Sequence, residues 1–247
     1  MTVQSLELTS KLDDVTLKSK VYLPDNPDNN SPAPAILVAP EWWGLSDFPK
    51  QVGERLAKAG FVAVVMDIYG DGKLTTDATK ANEWMTQMLD NPTLLLSRCR
   101  AILQDFSDLP SVDSDNIGAI GFCFGGKIAL DMARMGLPIK AVATFHGNPA
   151  PYKKADKNFS AKVLIAHGES DSMVPMSAID ELQAELDNAN VDYTLDIYKG
   201  AKHGFSNPNA DKRGKDNALD LGYDEVAARA SWDKMIAFMK QTLNDKN

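Results

Sequence analysis

Apolar residues recur at roughly every second position over Val3, Leu6 and Leu8, and again over Val15, Leu17, Val21 and Leu23. Strand side chains point alternately to two faces, so this spacing predicts two half-buried strands that open the chain as a hairpin. Pro24 to Pro34, rich in Pro, Asn and Asp, predicts a surface loop. The pattern then changes. Ala35 to Ala39 and Phe61 to Met66 are short continuous apolar runs, as strands covered on both faces require. Between them, Phe48 to Ala59 carries Val52, Leu56 and Ala59 at helical spacing and stops at Gly60. Ala78 to Phe106 is helical but broken at Asn91-Pro92, because proline has no N–H to donate and its ring clashes with the preceding turn. The first of the two helices carries Trp84, Met85, Met88 and Leu89, which read either as one wall of a pocket or as an amphipathic face on the core.

The apolar run from Ile117 reaches Cys123 and predicts a strand followed by a helix over Lys127 to Arg134. Strands follow at Ile139 to Phe145, Val163 to Ala166 and Tyr193 to Tyr198, with a loop over Pro149 to Phe159 and a helix over Met176 to Leu186. Glu225 to Leu243, with Val226, Trp232, Ile236 and Met239, predicts a closing amphipathic helix. Strand and helix alternating from residue 35 onward imply an α/β protein, a mostly parallel central sheet with helices on both faces. No internal repeat, low-complexity stretch or linker divides it, so a single domain over 1–247 is expected.

Composition narrows the partners. A formal charge of −8 opposes binding to nucleic acid or to an anionic membrane surface, either of which needs a basic face. A small molecule is the expected ligand. Two cysteines, Cys99 and Cys123, form neither a disulfide framework nor a metal-binding spacing, which suits a reducing compartment. No leader-like apolar segment opens the chain and no run is long enough to span a bilayer, so a cytoplasmic location is expected.

The chemistry gathers at strand ends, where open α/β sheets bind their ligands. Gly121-Phe122-Cys123-Phe124-Gly125 places a cysteine where the G-x-S-x-G nucleophile elbow of α/β-hydrolases places serine. The helix after such an elbow points its amino end at the sulfur and favours thiolate. A cysteine nucleophile needs a base, and the base an orienting carboxylate. Asp171, in the loop after the Val163 strand, follows the cysteine by 48 residues, and His203, after the Tyr193 strand, by another 32. The order nucleophile, acid, histidine is that of α/β-hydrolases. Asp171 also reads as a cap for the helix near Met176, and His146 and His167 as hydrogen-bonded structural histidines. No two histidines sit at helical ligand spacing, so no metal site is expected. Backbone N–H groups of Phe124 and Trp42 are the candidates for an oxyanion hole. Glu41 stands beside Trp42, either as acceptor of the thiol proton or as a solvated strand-end acid.

With these residues assembled, the chain resembles the dienelactone hydrolase family. Pro40-Glu41-Trp42-Trp43-Gly44 is similar to its glutamate loop, Asp67-Ile68-Tyr69-Gly70 to the loop after the next strand, and Gly121 to Gly126 to its cysteine elbow. His167-Gly168-Glu169-Ser170-Asp171 and His203-Gly204-Phe205 are similar to its acid and base motifs. The resemblance implies an α/β-hydrolase fold and hydrolysis of an ester or lactone, with Cys123 attacking, His203 moving protons, Asp171 orienting it and Glu41 holding the thiol proton until substrate displaces it. It implies no cofactor and leaves monomer and homodimer open. Members that cleave dienelactone hold its carboxylate with arginines, one of them shortly after the catalytic histidine. Here no arginine follows His203 before Arg213, and neither Arg98 nor Arg100 is assigned to that task. An acyl esterase or thioesterase with an apolar pocket is the alternative enzyme, and a hydrolase-like protein that binds a small ligand without turnover is the alternative outside enzymes.

Overall fold

The computed structural model describes residues 3–25 and 32–244. Most of the expected loop over Pro24 to Pro34, residues 26–31, lies outside them, and its last two residues belong to a strand. Among the described residues, eight strands of a mostly parallel sheet alternate with seven helices. The chain divides into two compact units, residues 1–119 and 120–247.

In the first unit, β1 (Gln4–Leu12) and β2 (Val15–Leu23) form the expected antiparallel hairpin, turning at Asp13 with φ 51°. β2 pairs antiparallel with β4 (Val62–Val65), and β3 (Ala33–Ala39) lies parallel to β4. β4 is buried throughout and β3 from its third residue on, as their unbroken apolar sequences require. α1 (Asp47–Lys58) lies against the sheet through Phe48, Val52 and Leu56. It approaches so closely that a Cβ on Gly53 would stand 2.5 Å from the Tyr22 ring.

α2 (Ala78–Asp90) and α3 (Pro92–Ser107) meet at the predicted break. Asn91 leaves helical geometry, its side-chain oxygen accepts from Leu94 N–H over 3.1 Å, and Pro92 opens α3 where no N–H is needed. On α2, Met88 is buried while Leu89 is 39% exposed, so the four apolar residues do not form one wall.

β5 (Val112–Phe122) runs across the division between the units. In the second unit, β6 (Ala141–Phe145), β7 (Lys162–Gly168) and β8 (Tyr193–Tyr198) pair in parallel in that order. α4 (Phe124–Arg134) starts three residues before the expected Lys127. Two consecutive glycines open the helix and weaken its helical signal. α5 (Met176–Asn188) and α7 (Glu225–Leu243) follow the periodicity, α7 packing on β6 and β7. Between β8 and α7 the sequence pattern predicts no element, and the structure has α6 (Ala210–Asn217), a polar helix whose only buried residues are Ala210 and Gly214. Its apolar signal is too small to read.

A buried ion network fixes the far end of α4. The Arg134 guanidinium meets both carboxylate oxygens of Glu185 on α5, at 2.8 and 3.0 Å, and donates to Asp131 at 3.0 Å and to Pro149 O at 2.9 Å. Glu185 also accepts from Ala155 N–H at 2.8 Å, which ties the expected loop after Pro149 to α5. Removing one partner of such a network strands a buried charge. Arg134→Met is therefore expected to cost about 3–5 kcal/mol in urea unfolding, whereas Lys212→Ala, which breaks a solvent-exposed pair with Asp216, leaves the midpoint within error of wild type.

Candidate active site

The site begins where β5 passes into α4 through a single residue. Cys123 takes φ 54° and ψ −116°, a conformation that side chains with a Cβ rarely adopt. The turn closes so tightly that a Cβ on Gly121 would fall 1.9 Å from Gly125 O. Glycine at 121, one half of the bracket expected for an elbow, is thus enforced by contact. Cys123 N–H donates to Phe145 O over 3.0 Å, and Cys123 O accepts from Gly126 N–H at 3.0 Å. Phe124 is the first residue of α4, where a helix leaves its N–H groups without intrahelical acceptors.

Two further loops are fastened to each other. Gly168, the last residue of β7, has so little room that a Cβ would stand 2.4 Å from Ala201 O, and Ser170 N–H donates to the same carbonyl over 3.0 Å. The loop after β7 is thereby laid along the loop after β8. Asp171 and His203 meet as a result, with Nδ1 of the imidazole 2.8 Å from Oδ2 of the carboxylate. The other carboxylate oxygen accepts from Met173 N–H at 2.9 Å and Val174 N–H at 2.8 Å. Pro175 stands at the N-cap of α5, so Asp171 orders its own loop and does not cap that helix.

Cys123 lies near enough to act on the charge of His203. Burial alone would push the imidazole down, but the neighbouring Cys123 and the Asp171 hydrogen bond outweigh it and carry His203 up to about 10. Nε2 of His203 is buried and forms no hydrogen bond of good geometry, so Cys123 acts on it mainly through charge. The other two histidines behave oppositely. His146 is fully buried and held well below the ordinary value by desolvation and by His203, and its Nε2 lies 2.8 Å from Ser206 Oγ. His167 is also lowered by burial, and its Nε2 lies 3.0 Å from Val174 O.

Glu41 and Trp42 belong to the first unit, in the loop after β3. Glu41 is 6% exposed, which rules out the solvated acid. Trp42 O accepts from the Tyr69 hydroxyl over 3.0 Å, and the Tyr69 ring lies tilted against Trp84 of α2, with centroids 5.4 Å apart. Asp67 in turn pins the Tyr69 loop by accepting from the N–H groups of Lys18, Gly70 and Gly72. Asp67-Ile68-Tyr69-Gly70 marks this loop in the sequence, but nothing in it says that Tyr69 supports Trp42. Arg98 is buried, donates to Ile68 O over 2.7 Å, and is lowered by desolvation against the raising effect of Asp67. Among the described residues no group of three or more His, Cys, Asp or Glu is arranged to hold a metal ion, and no helix is long and apolar enough to cross a membrane.

A strand, a strained cysteine turn, a helix, and then an acid and a histidine at successive strand ends define an α/β-hydrolase. The sequence model of the dienelactone hydrolase family matches residues 18–243, and the chain belongs to that family of hydrolases. It is 28% identical over 216 residues to protein usf of Aquifex pyrophilus, covering 85% of this chain and 89% of that one. It is 27% identical over 225 residues, 86% of each chain, to a Bradyrhizobium protein named probable 2-oxo-3-(5-oxofuran-2-ylidene)propanoate lactonase. The crystal structure of a dienelactone hydrolase-like promiscuous phosphotriesterase from metagenomic libraries is similar with a TM-score of 0.90 at 28% identity, over 97% of this chain and 98% of that one.

Because the folded His203 titrates above the ordinary imidazole value of 6.5, the stability it contributes is fully present below that pH and is lost as pH rises through about 10. Cys123→Ala removes the largest influence that raises His203 and leaves burial pushing down. Its midpoint in histidine-ring NMR is expected to fall by more than one unit, and an unchanged midpoint would show that Cys123 does not face His203.

Proposed function

We propose that the chain hydrolyses a small carboxylic ester or lactone through an acyl-cysteine intermediate, without a cofactor. The observation that carries this reading is the 2.8 Å contact between the buried Asp171 carboxylate and Nδ1 of His203, an imidazole whose titration the neighbouring Cys123 raises. A thiolate at Cys123 attacks the carbonyl carbon, and the oxyanion that forms takes hydrogen bonds from backbone N–H groups, that of Phe124 among them. The His203 imidazolium gives its proton to the departing alkoxide, which in a lactone remains attached to the acyl chain. Neutral His203 then removes a proton from water, the hydroxide adds to the thioester, and the thiolate leaves as the acid forms. Asp171 holds the ring in orientation throughout. The family resemblance assigns Trp42 the second oxyanion donor, and assigns Glu41 the thiol proton before substrate arrives. With Cys99 and Cys123 both free thiols, a cytoplasmic setting suits the chemistry.

The preferred substrate is an ester or lactone without a carboxylate to be clamped. No arginine follows His203 before Arg213, and the buried Arg98 guanidinium is engaged with Ile68 O. The lactonase named for the Bradyrhizobium relative and the phosphotriesterase among the similar structures give the panel its other members.

Wild type is expected to turn over p-nitrophenyl acetate or butyrate, or a simple lactone, in preference to a dienelactone carboxylate or an aryl phosphotriester. Cys123→Ala should abolish turnover, and Asp171→Asn should lower kcat by about 10²–10⁴-fold by releasing the ring. An electrophile should label Cys123 and spare the fully buried Cys99. Turnover that survives in Cys123→Ala sinks the mechanism.

A further inference from the structure

The hydrolytic residues explain neither the fully buried His146 nor its contacts. β6 ends directly beneath the elbow, because Cys123 N–H hangs on Phe145 O. The next two residues stay against α4, where a Cβ on Gly126 would stand 2.8 Å from Gly147 Cα. His146, between them, takes φ 41°, which non-glycine residues seldom do.

Its imidazole touches three residues of the short turn that carries His203. The ring meets His203 edge-on with centroids 5.0 Å apart, meets Phe205 in the same manner at 5.3 Å, and places Nε2 2.8 Å from the hydroxyl of buried Ser206. Nδ1 of His146 has no hydrogen-bond partner. An apolar ring would fill this space without that unmet polar atom, so the contact that calls for a histidine is the one to Ser206. Asp171 grips the His203 ring by one nitrogen only, and a ring held at one edge still has freedom to swing.

We propose that His146 and Ser206 are a positioning pair for hydrolysis: their hydrogen bond ties the His203 turn to the strand end from which Cys123 hangs, and so sets the separation between the imidazole and the thiol. The proposal rests on the reading of Cys123 as nucleophile and His203 as its base. His146 stays neutral beside charged His203 and therefore does not compete for the proton.

The test uses the full chain with Ser206→Ala, His146→Phe, the double variant, and His146→Gln, whose amide keeps a polar hydrogen-bonding group in place of the ring. Ester turnover is measured beside the NMR titration of His203, and near-ultraviolet circular dichroism verifies folding. A misplacement of about 1 Å at a reacting group lowers rates on the order of 10²-fold. Ser206→Ala and His146→Phe are expected to lower kcat about 10–100-fold while KM stays within about twofold, because the defect lies in alignment. The His203 midpoint should fall as the ring leaves Cys123, the double variant should lose no more than the worse single, and His146→Gln should recover most of kcat. Folded Ser206→Ala and His146→Phe with wild-type kcat and an unmoved His203 midpoint overturn the proposal, as does a loss of activity that tracks only the loss of folded protein. If wild type hydrolyses none of the panel, the hydrolase reading fails separately, and the His203 midpoint still decides whether the pair positions the ring.

Discussion

The passage of β5 into α4 through one residue is the constraint on which the site depends. A strand that becomes a helix with no intervening loop leaves its single hinge residue in strained geometry, of the kind that costs on the order of 1–3 kcal/mol. Here that residue is Cys123 at φ 54°, and the strain fixes its thiol at the amino end of α4. Close contact then dictates the neighbours. Gly121 lies under the Gly125 carbonyl, Gly126 lies against Thr144 and Gly147, and none of Gly121, Gly126 and Gly147 has room for even a methyl group. Gly125 and Gly126 give up helix propensity in the first turn of α4, which is offset by packing: ten of its eleven residues are buried.

α4 is therefore held at both ends by unlike means. At its start, backbone hydrogen bonds join Cys123 to Phe145 and Gly126 to Cys123. At its close, Arg134 spans Asp131, Glu185 and Pro149, so α5 and the loop after Pro149 are fastened to the same helix. Buried charge contributes little net stability when every member is paired, but it admits few alternative arrangements. The result is a rigid mount for the Cys123 thiol. The loops after β7 and β8 have a tie of their own, because Gly168 packs against the carbonyl of Ala201 and Ser170 N–H donates to it, which lays Asp171 beside His203.

Elements with a strong period were legible in the sequence and those without it were not. β8 and α7 begin and end where the apolar spacing places them, and Asn91-Pro92 divides two helices by a mechanism visible in two letters. The start of α4 was misplaced because glycine reads as a turn whether it breaks a helix or admits a close neighbour. α6 was missed because eight residues with two buried positions carry almost no pattern. Within the candidate site, order along the chain and strand-end placement single out Cys123, Asp171 and His203, and the structure puts the first on a strained turn and joins the other two. The Tyr69–Trp42 bond and the His146–Ser206 bond join residues 27 and 60 positions apart and have no local signature, so only the fold discloses them.

The chain has three histidines, all buried below 5% exposure, and composition treats them alike. Their surroundings do not. His146 and His167 meet a hydroxyl and a carbonyl, and the cost of desolvating an imidazolium, which at His167 outweighs the raising effect of Asp171, pushes both down. His203 pays the same desolvation but faces Cys123 on one side and the Asp171 carboxylate on the other, and two acidic partners reverse the sign. The sorting is also mutual, because charge on His203 is itself one of the influences that lower His146 and His167. A raised titration is thus confined to one ring of the three. That ring stands beside the only cysteine with solvent access, and environments that separate the titrations of like groups are what acid–base chemistry near neutral pH requires.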